Sequence, residues 1–407
     1  MGDFRMKRYV LVAAGALALM FATAAVRAAE PPGVTATEIK IGNTSPYSGP
    51  ASTYGALGRL ESAFFGMVNE QGGVAGHKIT YISLDDTYSP PKTMEQTRRL
   101  VEEDNVAFTF ANLGTPTNSA IVRYMNQKKV PHLFLATGAD KWGDTKTSPW
   151  TIGWQPSYRT EAQIYATYIL REKPDAKIAV LYQNDDFGKD YFLGFKDVLG
   201  DRFDKMVTTA TYEATDPTID SQLTILQASG ADVLLVAALP RTSAQAIRKV
   251  HDLAWKPALF FMSNVSISVG AVMNPAGPEN GIGIISAAFI KDSSDPTWAN
   301  DPGMNEWRAF MNKYMPNADQ ADNNYITAYG LSKTILQVLQ QCNGDFSRET
   351  IMAQANNLHD VESPVLLPGL KLNTSPTNHH PIRAMQLEKW DGKTWVLFGD
   401  VIQGAPS

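Results

Sequence analysis

Between residues 38 and 290 short apolar segments alternate with amphipathic ones, and this rhythm leaves few folds open to the 407-residue chain. Residues 39–43, 79–84, 106–110 and 132–136 are short runs rich in Ile, Leu, Val and Phe, of strand length. Between the first two, Leu57, Leu60, Phe64, Met67 and Val68 recur at helical spacing, and Gln71-Gly72-Gly73 supplies the glycines that end a helix. Helices are predicted over 90–103, with Pro90 in the first turn, and over 117–128. A second series follows Trp150, with helices over 157–171, 188–199, 219–229 and 243–253 and strands over 177–182, 206–212, 232–237, 258–262 and 283–287. Such alternation predicts parallel sheets covered by helices on both faces, and two series predict an α/β protein of two Rossmann-like lobes.

The tail breaks the pattern. Three helices, over 304–315, 323–339 and 347–357, precede a hairpin in which Asp391-Gly392 turns between strands over 384–390 and 394–401. Hydrophobic residues make up 44% of the chain, enough for sizeable cores. Lys plus Arg number 36 against 41 Asp plus Glu, a net charge of −5. A nucleic-acid binder carries a basic excess instead, so no nucleic-acid partner is expected. The single cysteine, Cys342, excludes an intramolecular disulfide and a Cys-rich zinc site.

Arg5, Lys7 and Arg8 precede an apolar run over residues 9–26, and Val26-Arg27-Ala28 places small residues at the two positions a signal peptidase reads. This is the order of an export signal, predicted to span residues 1–28, with cleavage near Ala28 and a soluble periplasmic product.

Catalytic constellations are missing from the sequence. Asp391-Gly392-Lys393-Thr394 contains a GKT, but Leu387 stands where a phosphate loop needs glycine. Gly281-Ile282-Gly283 precedes a strand instead of following one, and no GxSxG elbow occurs. His379-His380, beside Pro381, reads as a solvated loop and not a metal site. No enzyme activity, metal or cofactor is expected.

In open α/β sheets ligands bind beyond the carboxyl ends of the strands, so the loops there are the candidate site. They hold Tyr47, Ser48 and Tyr54; Asn112-Leu113-Gly114-Thr115-Pro116-Thr117; and Thr137-Gly138-Ala139. In the second series they hold Trp154 to Arg159, with Tyr158; Asn184-Asp185-Asp186-Phe187-Gly188; Leu239-Pro240-Arg241-Thr242; and Ser263-Asn264-Val265-Ser266. Thr115 and Thr117 suit either a helix cap or a carboxylate site at a helix start, and the residues alone do not separate these uses.

These segments resemble the solute-binding proteins of branched-chain amino-acid-type ABC importers, of the type I periplasmic binding fold. The resemblance covers the chain beyond the signal and rests on segments in order. They are Ile39-Lys40-Ile41-Gly42 with Ser48-Gly49-Pro50, the stretch Asn69-Glu70-Gln71-Gly72-Gly73-Val74-Ala75-Gly76, Asp85-Asp86 before Pro90, Ala136-Thr137-Gly138-Ala139, and Asp186-Phe187-Gly188. It implies two lobes joined by a three-strand hinge, with lobe 1 from residues 29–155 plus 286–365 and lobe 2 from 156–285 plus 366–407. It implies that a monomer closes on a small molecule and delivers it to the membrane subunits of an ABC permease. A soluble sensor of the same fold is the rival.

By resemblance, Thr115, Ala136 and Gly138 hold a ligand carboxylate and Tyr54 lines the side-chain pocket. With Thr137, Trp154, Tyr158, Phe187, Leu239, Val265 and Tyr325 they form the candidate binding set. Lobe 2 departs from the family pattern. Phe187 and Leu239 stand where tyrosines are common, and Val265 stands where an acid pairs the ligand ammonium. Tyr88 and Gly114 occupy the positions of the family's lobe 1 disulfide. The departures point to a carboxylate without an α-amino group, with an aromatic body as one option. The alternative is a branched-chain or related amino acid whose ammonium Asp185 or Asp186 reaches.

Overall fold

The computed structural model describes residues 30–404, so the export signal expected over residues 1–28 lies outside the described residues. Two sheets carry the fold. The first has five parallel strands in the order β2-β1-β3-β4-β5, where β1 is Glu38–Ser45, β2 Lys78–Asp85, β3 Phe108–Phe110, β4 His132–Leu135 and β5 Thr151–Gly153. The second has seven strands in the order β12-β11-β10-β9-β8-β6-β7. These are β6 Ile178–Gln183, β7 Val207–Tyr212, β8 Val233–Ala237, β9 Leu259–Met262, β10 Ile285–Ala288, β11 Ala384–Trp390 and β12 Trp395–Gln403. This is the two-sheet α/β architecture expected from the alternation, with one difference. The tail hairpin, β11 and β12, joins the second sheet antiparallel, with β11 beside β10. A hairpin needs only a two-residue turn, so a strand pair added after the last helix enters a parallel sheet in this way.

The central strands are buried on both sides, as expected of strands covered by helices: every residue of β3, β4 and β8 is buried. Three tail helices, Pro302–Tyr314, Asn324–Gln341 and Arg348–Ala355, return to the first sheet. Phe64, on the Gly55–Glu70 helix, packs its ring on Phe310 and Tyr329, with centroids 5.9 and 5.6 Å apart. Arg348 donates to the carbonyls of Val106 and Ala107 beside β3.

The chain therefore passes between the two halves three times: after β5, after β10 and before β11. The crossing segments support one another. The Lys291 amide donates to the Val365 carbonyl and the Leu367 amide to Phe289, while the Gly153 amide donates to His379. The expected solvated loop at His379-His380 is corrected here, because both residues are buried. The third crossing runs over the end of β5 and presses His380 against Gly143, and His380 Nε2 lies 3.1 Å from the Asp140 carbonyl.

Candidate functional site

The order of the first sheet reverses between β1 and β3, and that of the second between β6 and β8. Loops leaving adjacent strands in opposite directions open a crevice at such a point. Both crevices face one cleft of about 870 Å3, counting the space open at its mouth.

From the first sheet the cleft receives Tyr54 after β1, Tyr88 after β2, Leu113, Gly114 and Thr115 after β3, and Ala136 after β4. Gly114 takes the cap position of the Thr115–Lys128 helix with φ of 97°, a backbone form open to glycine. Thr115 is thus the first residue inside the helix and not its cap. Its hydroxyl lies 2.6 Å from that of Thr137, and the first-turn N–H groups of the helix have no partner within it. Tyr88 packs on the face of Gly114, where an added Cβ would come within 2.5 Å of its ring. The two positions that the family resemblance assigns to a disulfide are therefore in contact. Tyr88 itself is left-handed, with φ of 60°, as is Thr87 at 54°. Carboxylates hold both: Asp85 accepts from the Thr87 amide at 3.0 Å and Asp86 from the Tyr88 amide at 2.9 Å.

From the second sheet come Phe187 after β6, Leu239 after β8, Asn264 and Val265 after β9, and Phe289 to Asp292 after β10. Tyr158, which follows the first crossing, meets Phe187 edge-on at 4.8 Å and stacks on Tyr191 at 5.7 Å. Gln155 donates to the Tyr158 hydroxyl at 3.1 Å. Tyr158 and Phe187 make this part of the wall aromatic. Behind it, Glu161 is fully buried, accepting from Tyr165 at 2.6 Å, from Tyr191 at 2.8 Å and from the Asn264 amide at 2.9 Å. Burial pushes its carboxyl up to about 7.

Contacts across the cleft hold the halves together. The Tyr54 hydroxyl donates to the Val265 carbonyl at 2.8 Å, Lys141 pairs with Asp186 at 2.8 Å, and the Asp140 amide donates to Asp190 at 2.8 Å.

Of the candidate set, Tyr54, Thr115, Ala136, Tyr158, Phe187, Leu239 and Val265 line the cleft, whereas Thr137, Gly138, Trp154 and Tyr325 do not. Thr137 stands behind Thr115. The Gly138 carbonyl accepts from the Tyr158 amide at 2.8 Å. Trp154 backs Phe289 edge-on at 5.7 Å and donates to Thr334 at 3.0 Å. Tyr325 sits between Asn324 and Thr327, which share the cleft-facing side of their helix. Asp185 and Asp186 are also outside the lining. Asp185 caps its helix through the Gly188 amide, and Asp186 is taken by Lys141.

Lining residues outside the candidate set include Tyr88, Asn264, Lys291, Asp292 and Glu388. Asn264 stood in a loop already read as part of the site, and a polar residue there was the signal. Glu388 had none, because it lies within a hairpin strand and reaches the cleft only through the pairing of β11 with β10.

Comparison with known proteins agrees with this geometry. The family model described as "Periplasmic binding protein" matches residues 38–394. The Leu/Ile/Val-binding protein homolog 3 of Brucella melitensis biotype 1 is 22% identical over 226 residues, 53% of this chain and 58% of that protein. The match thus spans little more than half of either chain. Among solved structures, a branched chain amino acid ABC transporter protein from Thermus thermophilus with bound valine is 14% identical, with a TM-score of 0.81 over 91% of this chain and 98% of its own. A solute binding protein of an ABC transporter from Rhodopseudomonas palustris BisB5, in complex with 3,4-dihydroxy benzoic acid, is 18% identical, with a TM-score of 0.73 over 91% and 98%. At these identities the structural likeness speaks for the fold.

Proposed function

The chain belongs to the periplasmic binding protein family, and on that premise we propose that it captures a small organic ligand in this cleft by hinge closure and delivers it to an ABC permease. The observation that carries the reading is the convergence of both sheets' strand ends on one cleft, spanned by the Tyr54–Val265 hydrogen bond. Residues 29–155 plus 286–365 and residues 156–285 plus 366–407 are the two bodies that would move, turning about the three crossings. No helix among the described residues is long and apolar enough to cross a membrane. The family match and the export signal expected at the N-terminus support a periplasmic place of work.

The ligand we propose is a carboxylate without an α-amino group, with an aromatic body as one option. Thr115 and the open amides of its helix suit the carboxylate. Tyr158, Phe187 and Leu239 suit a flat or aliphatic body. The loop after β9 offers Ser263, Asn264, Val265 and Ser266, with no acid to pair an ammonium. An unpaired charge buried there would cost several kcal/mol. The relative that bound a dihydroxybenzoic acid on this fold supports the reading as a precedent. A branched-chain or related amino acid is the second reading, favoured by the carboxyls of Asp292 and Glu388 in the lining.

Calorimetry with leucine, valine and phenylalanine against benzoate, phenylpropanoid and fatty acids separates the two. Micromolar binding of a des-amino acid is expected, and leucine binding with no response to any des-amino acid would falsify the preferred ligand. Loss of uptake of the bound acid on deleting the protein tests delivery, and unchanged uptake with a changed transcriptional response would favour a soluble sensor.

A further inference from the structure

The end of the cleft built by the second sheet contains buried side-chain polar atoms with no partner in the protein. Asn264 is 8% exposed, and neither its Oδ1 nor its Nδ2 has a hydrogen-bond partner. Glu388 is 3% exposed, and its Oε1 has none. Both residues line the cleft. Leaving one buried polar group unmet costs on the order of 1–3 kcal/mol, so several together at one wall require a reason.

Neighbouring groups do not supply one. The Asn264 backbone amide donates to Glu161 at 2.9 Å, and the side-chain amide of Asn264 has no partner in the protein. Glu388 lies opposite Ser286 in the β10–β11 ladder, and the Ser286 hydroxyl is turned to the Met262 carbonyl at 3.1 Å. The one cation in the lining, Lys291, is held by Asp301 at 2.8 Å and the Pro364 carbonyl at 2.9 Å. Asp292 accepts from the Ser294 amide and hydroxyl. Around Glu388 the charged neighbours are Asp292, Glu161 and Asp295, and burial first, then these acids, holds its carboxyl well above the usual range. A further anion would be unwelcome here, whereas a donor on the ligand would meet the unpaired Glu388 Oε1 and Asn264 Oδ1.

We propose that Glu388 and Asn264 form a subsite for a hydrogen-bond-donating group, a hydroxyl or an amine, carried by the ligand away from its carboxylate. The subsite deepens the carboxylate reading of the cleft and rests on it. It gives the ligand two recognised groups: an acceptor met by Thr115 on the first sheet, and a donor met by Glu388 and Asn264 on the second. The class is then a hydroxylated or amino-substituted acid in preference to a plain one. A ligand bound by groups on both sheets is also one that favours the closed form.

Calorimetric titration of the full chain with three sets of acids tests this. The first is benzoate with 3- and 4-hydroxybenzoate, the second benzoate with 3- and 4-(aminomethyl)benzoate, and the third hexanoate with 6-hydroxyhexanoate. Wild type is expected to bind at least one donor-bearing acid about ten-fold or more tightly than its plain parent. The hydroxyl and aminomethyl arms tell which donor is read. In Glu388→Met and in Asn264→Ala that preference is expected to fall below about three-fold. Circular dichroism checks each fold, and Asn264→Ala carries the test if Glu388→Met does not fold. Plain acids binding as well as every substituted one overturn the subsite and leave the carboxylate reading standing. A preference retained in the variants also overturns it. No response of wild type to any acid overturns the carboxylate reading and the subsite with it.

Discussion

Thr115 shows how one hydroxyl can serve two ends. It is fully inside the helix start, paired with Thr137, and at the cleft wall. Thr115→Ala should weaken binding of the carboxylate ligand about ten-fold, since a hydrogen bond to a charged group is worth about 1.5–3 kcal/mol. Calorimetry beside an unchanged melting temperature checks it, and unchanged affinity would leave Thr115 a purely structural residue. Away from the cleft, buried titratable groups set the pH range of stability. Glu61 is fully buried under the Tyr81 hydroxyl, and burial pushes its carboxyl up to about 8. A free carboxyl titrates near 4.3. The folded state therefore holds a proton that the unfolded state gives up, and this contribution, complete below about pH 4, is lost as pH rises through 8. Glu61→Gln should flatten the fall of melting temperature between pH 5 and 9. Histidines act with the opposite sign. Burial holds His132 at about 3 and His379 at about 4. Their contribution is complete above about pH 6.5 and is lost as pH falls toward those values. Thermal melts from pH 7 to pH 4 should show this as a steady loss of stability, and His132→Gln should lessen it.

At the scale of elements, the strongly periodic segments follow the sequence closely. The predicted helix over 117–128 is observed as Thr115–Lys128, and that over 243–253 as Pro240–Asp252. Both begin earlier because a proline in the first turn has no N–H to satisfy. The helix predicted over 90–103 runs as an α-helix only through Arg98 and ends in a wider π turn, Arg99–Glu103. Strand β5 escaped the reading, since three residues carry too little pattern for a period to register. The turn before the Thr115 helix tests the local geometry. Gly114→Ala places a methyl group against the Tyr88 ring and forces φ of 97° on a residue with a Cβ. Strain of this kind costs about 1–3 kcal/mol before the clash is counted. Urea denaturation should show at least that loss, with weaker ligand binding because Tyr88 is displaced.

For the molecule as a whole, the cleft is closed by few bonds. Removing the Tyr54 hydroxyl deletes the bond to the Val265 carbonyl while keeping the ring in place. A net 0.5–1.5 kcal/mol for such a bond gives Tyr54→Phe an affinity lower by about two- to ten-fold, with most of the change in the rate of ligand release. Small-angle scattering should show compaction when the ligand is added, because hinge closure brings the two sheets' loops together. An unchanged radius of gyration at saturation would count against a hinge.

The fold class was legible in the sequence, because alternating strand and helix periods are written locally and right-handed βα units admit few packings. The sequence also pointed to the strand-end loops, and Tyr54, Thr115, Tyr158, Phe187 and Leu239 line one cleft. Tertiary structure decided which neighbours of those residues face it. Trp154 turned to Thr334 and Tyr325 away around its helix, choices of side-chain direction that spacing along a loop does not encode. It also decided what lies furthest apart in the chain. Glu388 reaches the lining that also holds Asn264 only because a late hairpin joins the second sheet next to β10, across more than 120 residues of intervening chain. Local periodicity specifies the elements, whereas the polarity of the cleft depends on sheet order and register, which only the packed molecule supplies.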